Sequence, residues 1–405
     1  MISPLNSNIK ISSNSVLTVL LLFSLIAVPV MPGHTTSKVS VLVFTLMFLY
    51  LLVKGRFVLN RSLLMMVALY VLFILSLYQE LLIDNKLLMQ FISSTAFLLV
   101  LTVWWDRLDS RSVFLPLVIA IFLSGLMYFP IMIFGPLTGA ERLDVLYWQK
   151  DTGFFFGINK FLMAIFVINL VLLTANKSSG LDKLLGYVFP VFYFLLAIYL
   201  GSRSHALLGF LSFVLMMSHG AIGRIGGKIL VSLIFIGAIV FMDKIIRLLE
   251  FNVLDRMTRG MSDFDSSPRG RIFNAFSACL EKSEILYGNG VMDCVSGSVS
   301  DLDNAFMFAI SSGGLVAAIL LLVLVFIMFA NVISSNLPVT IKAYIIISFI
   351  ILMNVDVIVM KAVFFLPIFI CLLNYKYGIG SKGDYKSPPN YVVIIDPKEN
   401  NMAKT

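Results

Sequence analysis

Arg142, Arg203, Arg256, Arg259, Arg269 and Arg271 lie in connections between long apolar runs rather than inside them. A guanidinium is a planar fork that grips two oxygens of a phosphate at once, whereas an ammonium is a point charge. Arginines from separate loops that meet at one place therefore make a receptor for a phosphate-bearing anion. Arg203 is the sharpest case. It sits in Gly201-Ser-Arg-Ser-His205, a turn so short that it holds the side chain at the mouth of the helices it joins, where ionisable residues are functional candidates by default. His205 stands two residues on. Carboxylates accompany the arginines at Glu281, Asp301 and Asp303, the last followed directly by Asn304. The competing reading is a set of solvated loop arginines snorkelling to lipid headgroups.

The elements that must position these residues are membrane spans. The chain has 405 residues, of which 59% are hydrophobic and only 13% charged, and its mean hydropathy of +0.97 leaves too little polar surface to coat a water-soluble globule. Apolar runs near the ~20 residues that cross a hydrocarbon core fall at about 16–32, 39–53, 62–78, 87–104, 112–135, 157–174, 184–200, 204–218, 228–243, 303–330, 338–355 and 358–376. The expectation is an all-α polytopic protein of about twelve helices. After the first run come Val28, Pro29, Val30, Met31 and Pro32, no small-residue cleavage site, so it reads as a retained helix.

Alternating the loops sorts the basic residues. The side holding both termini carries more than twice the Lys and Arg of the other side's short loops, so both termini are expected in the cytoplasm. The net charge of +8 is thus spread between apolar stretches and forms no patch of the kind that binds nucleic acid. Three cysteines exclude a disulfide-stapled fold, and three histidines without a Cys/His cluster give no support for zinc.

The organisation follows. Residues 1–243 hold the first nine spans with a smaller outer loop at about 136–156, and residues 244–302 form a large outer loop. Residues 303–377 hold the last three spans, and residues 378–405 a polar cytoplasmic tail expected to be disordered. Within the large loop, Asp243 to Arg259 reads as an amphipathic helix along the interface. A second helix is signalled by Ser267 as N-cap and Pro268 at its first position, running through Leu286 to Gly288. Cys279 falls on the apolar face of that helix and, with Cys294, lies in the outer loop, where the two either pair or stay apart.

Gly201-Ser-Arg-Ser-His-Ala-Leu-Leu-Gly-Phe-Leu, then Ser267-Pro-Arg-Gly-Arg-Ile-Phe-Asn-Ala-Phe, Ile285-Leu-Tyr-Gly-Asn-Gly290, Asp303-Asn-Ala-Phe and Ser312-Gly-Gly-Leu-Val-Ala-Ala resemble, in order and placement, the bacterial O-antigen polymerase and ligase membrane superfamily. The motifs cover about residues 200–320. Arg142, with Gly153 beyond it, resembles a further element of the polymerases' periplasmic loops. The ligases carry a histidine where this chain has Asp303, and the long loop has no histidine, so the resemblance is to the polymerase branch.

That resemblance implies a GT-C-like membrane glycosyltransferase that moves a growing glycan from undecaprenyl pyrophosphate to the terminal sugar of another lipid-linked oligosaccharide. Membrane lipids and a chain-length regulator protein are the implied partners, with no cofactor. Charge grows on the leaving pyrophosphate as the glycosidic bond breaks, so Arg203 and Arg271 are expected to stabilise the transition state, with Asp303 as general base toward the acceptor hydroxyl. Arg142, Arg256, Arg259, Arg269, His205 and Asn304 are expected to bind pyrophosphate and glycan. Asp301-Leu-Asp303 also has the Asp-x-Asp form that holds a metal beside a sugar nucleotide, but Asp303 as a helix cap is the stronger alternative and no metal is expected. A ligase, or a flippase or other secondary transporter with twelve spans, are the rival functions.

Overall fold

The computed structural model describes residues 41–50, 57–77, 85–105, 158–174, 180–199, 202–218, 268–281, 304–354, 358–375 and 391–395, with positions 21, 25, 108 and 286 besides. These residues are helical apart from one antiparallel strand pair. In chain order they form β1 (Phe57–Asn60), α1 (Arg61–Ser76), α2 (Asn85–Trp104), α3 (Ile158–Thr174), α4 (Gly180–Tyr199), α5 (Arg203–Ser218), α6 (Pro268–Leu280), α7 (Ala305–Ser334), α8 (Val339–Met353), the 3-10 turns Ile358–Met360 and Ala362–Phe365, α9 (Leu366–Tyr375) and β2 (Tyr391–Ile395). By length and composition α7 can cross a membrane, and eight shorter apolar helices accompany it among the described residues. The spans expected at about 112–135 and 228–243 lie outside the described residues.

Helices α1 and α7 run antiparallel. Ser62 at the start of α1 donates to Asn331 Oδ1 near the end of α7 (3.2 Å), and Gly313 lies where an added Cβ would meet the Ser76 carbonyl at 2.7 Å. Asn304, the N-cap of α7, bonds Asn354 at the end of α8 (3.0 Å), so α8 returns along α7. Lys342 Nζ donates to the Ile333 carbonyl (2.6 Å), placing a positive charge on the negative end of α7. Helices α4 and α5 form a tight hairpin closed by Ser202 N–H on the Ala197 carbonyl (2.9 Å).

Helix α7 is not one straight span. Gly314 has φ 68 and ψ −161, a left-handed conformation that a side chain would strain, so Ala305–Gly313 and Leu315–Ser334 meet at a break. The run expected at 358–376 is also interrupted, since α-helix begins only at Leu366, with Pro367 in its first turn. In an apolar bundle a broken helix must find other partners for its carbonyls. Tyr70 donates to the Val359 carbonyl (2.7 Å) and Ser94 to that of Met360 (2.8 Å), which is what lets the 3-10 turns persist there. Tyr70 also packs edge-on to Phe365 (4.9 Å between ring centres), within a cluster holding Phe73, Phe91 and Phe364.

β1 pairs with β2, Phe57 opposite Ile395 and Asn60 opposite Tyr391. Part of the tail expected to be disordered is thereby ordered. Tyr-Val-Val-Ile-Ile is a run of β-branched and aromatic residues, and the strand beside it supplies the backbone partners a free tail would lack.

Candidate functional site

Two helix starts carry the arginines. Arg203 is the first residue of α5, and Arg269 and Arg271 are the second and fourth of α6. No acidic residue stands in the first turn of either helix. A cation there opposes the helix dipole, whose positive end also presents unpaired N–H groups. Arginine at such a place gains its complement when an anion binds between guanidinium and backbone.

Helix α6 starts at Pro268 as its sequence signals, but ends at Leu280 rather than Leu286. Phe276 and Cys279 are buried, and Leu280, Met307 and Ile310 pack against them. The arginine-bearing loop helix therefore sits on the short first half of α7. Cys279 is disulfide-bonded and Cys371, in the middle of the chain's last described helix, is free. Cys294 lies outside the described residues.

The cap of α7 is Asn304, not Asp303. Asn304 is extended (φ −136, ψ 127) and its Oδ1 accepts from Phe306 N (2.9 Å) and Met307 N (3.1 Å), while its Nδ2 donates to Asn354 Oδ1. With its Oδ1 on two backbone N–H groups and its Nδ2 on Asn354, Asn304 fixes the helix start. The structure thus replaces the capping role weighed for Asp303 by its neighbour.

His205, expected to bind ligand, is turned into the bundle. It is 2% exposed, its Nδ1 lies 2.6 Å from the hydroxyl of the fully buried Tyr193, and the two rings meet edge to face. This bond ties the first turn of α5 to α4. Tyr193→Phe removes it and is expected to cost roughly 1–2 kcal/mol. A thermal midpoint unchanged by the substitution would show that the bond carries no stability.

No protein-family model, curated protein or solved structure matches the chain. The site therefore rests on its own residues. Glu281 lies exposed in the turn after α6. Arg142, Arg256, Arg259, Asp301 and Asp303 lie outside the described residues, and the backbone alone places Arg203, Arg269 and Arg271. Missed from the sequence were Tyr193, Asn354 and the break at Gly314. The Ser312-Gly-Gly run was the one visible signal among them.

Proposed function

We propose that this chain is a polytopic inner-membrane glycosyltransferase that extends a lipid-linked polysaccharide on the outer face. It moves the growing glycan from undecaprenyl pyrophosphate to the terminal sugar of a second lipid-linked unit. The observation that carries the reading is the seating of α6, with Arg269 and Arg271 in its first turn, on the half-helix that Asn304 caps. Two of the segments that resemble the polymerases are thereby adjacent in space. In the twelve-span arrangement Arg203 opens its helix on that same side.

In this reading the guanidinium groups take up the charge that grows on the departing pyrophosphate, and Asp303 removes the proton from the acceptor hydroxyl as it attacks the anomeric carbon. The orientation is supported by two features. The disulfide-bonded Cys279 belongs on an oxidising side. β1, between the second and third spans, pairs with the tail, and both are assigned to the cytoplasm.

The test is a deletion strain complemented with Asp303→Asn. Loss of the gene is expected to leave lipopolysaccharide carrying a single repeat unit, and Asp303→Asn is expected to slow extension roughly 10²–10⁴-fold with normal protein accumulation. Wild-type chain lengths from the variant would remove Asp303 from catalysis. A secondary transporter is the second reading, favoured by the breaks at Gly314 and before Leu366, since transporters build their sites at interrupted helices. Glycan trapped facing the cytoplasm in the deletion strain would establish that reading. Unsubstituted core with full-length glycan left on its carrier would mean a ligase.

A further inference from the structure

Away from the arginine-bearing helix starts, three helices bring polar side chains to one point inside the bundle. Asn169 comes from α3, Ser212 from α5, and Tyr344 and Ser348, one turn apart, from α8. Asn169, Ser212 and Ser348 are each 0% exposed and Tyr344 is 3% exposed. Their hydrogen bonds can be followed one by one. The single proton of the Tyr344 hydroxyl goes to the Leu208 carbonyl (3.2 Å), and the same oxygen accepts from Asn169 Nδ2 (3.4 Å). Ser212 spends its proton on the Gly209 carbonyl (3.0 Å) and keeps its lone pairs. Ser212 and Ser348 lie close to the Tyr344 hydroxyl, Ser348 without the geometry of a bond to it.

Two atoms remain. Asn169 Oδ1 and Ser348 Oγ are buried without a hydrogen-bond partner. A buried polar atom left unpaired costs roughly 1–3 kcal/mol, and an apolar bundle supplies no bulk solvent to repay it. Asn169 Oδ1 can only accept, so whatever meets it must donate. Ser348 has a proton to give, and Ser212 a lone pair to offer.

We propose that one ordered water sits between α3, α5 and α8, donating to Asn169 Oδ1 and Ser212 Oγ and accepting from Ser348 Oγ. Those are about three bonds, the usual complement of a buried water. A monovalent cation does not fit as well. The neighbours are neutral oxygens with no carboxylate among them, so its charge would stand uncompensated inside the bundle. The site is separate from the proposed transfer chemistry. It hydrates the middle of the helix packing.

The test is hydroxyl-radical labelling of the full-length protein in lipid nanodiscs, where radiolysis of a bound water oxidises the side chain beside it. Tyr70 is the internal control, also buried but with its hydroxyl donating to the Val359 carbonyl. Tyr344 is expected to be oxidised several-fold faster than Tyr70. The double variant Asn169→Leu, Ser348→Ala, or Ser348→Ala alone should the first not accumulate, is expected to bring Tyr344 down toward the Tyr70 rate. Equal rates in the unmodified protein would overturn the proposal. So would a Tyr344 rate that changes when sodium chloride is replaced by potassium or choline chloride at equal ionic strength, which would mean an ion rather than water.

Discussion

Arg203→Ala and Arg271→Ala are each expected to slow glycan extension by roughly 10²–10³-fold, the loss seen when one preorganised donor to a developing anion is removed. The two helix starts explain the size. At each, a guanidinium and the first N–H groups of a helix would face the same diphosphate, and both interactions grow as the leaving group gains charge. The effect should therefore fall on turnover more than on donor binding. Lysine at either position keeps the charge and loses the two-pronged grip, so it is expected to recover only part of the rate. The measurement is ladder length from purified protein and lipid-linked repeat units, alongside the amount of protein in the membrane. Ladders of normal length from both alanine variants would remove the two arginines from the reaction.

Gly209→Ala is expected to destabilise the protein by at least ~1–3 kcal/mol, although alanine is the better helix former by about 1 kcal/mol. A Cβ at position 209 would lie 2.6 Å from Phe194 Cα and 2.8 Å from Phe194 N. Those are backbone atoms of α4 and cannot rotate away. Only an opening of the α4–α5 hairpin relieves the clash, because a small residue at this position is what lets the two backbones approach so closely. Because that hairpin also carries the Tyr193–His205 bond and its second helix begins at Arg203, activity should fall with stability. A midpoint equal to or above that of the unmodified protein would show the packing to be looser than described.

How much of this could be read in advance depends on the range of the interaction. Pro268 announced the start of α6, because proline's fixed φ and missing N–H act within one turn. The apolar runs announced α1, α2, α3, α4, α5 and α8 for the same local reason. The interruption before Leu366 was only partly legible. Lys361 and Pro367 mark the place locally, but that the turns persist depends on their carbonyls being held by Tyr70 and Ser94, far away in sequence. His205 was similarly ambiguous, since whether it faces a ligand or the bundle is decided by Tyr193 on the neighbouring helix. Asn304 took the cap from Asp303 through a one-residue shift that both side chains could satisfy.

The pairing of β1 with β2 joins two segments that leave the ribosome far apart in time. Until Tyr391–Ile395 has been made, Phe57–Asn60 has no complement, so this junction can close only after every described helix has been synthesised. A product lost to premature termination between Tyr375 and Tyr391 would keep its full set of described helices yet expose an unmatched strand, a difference that a protease could sense.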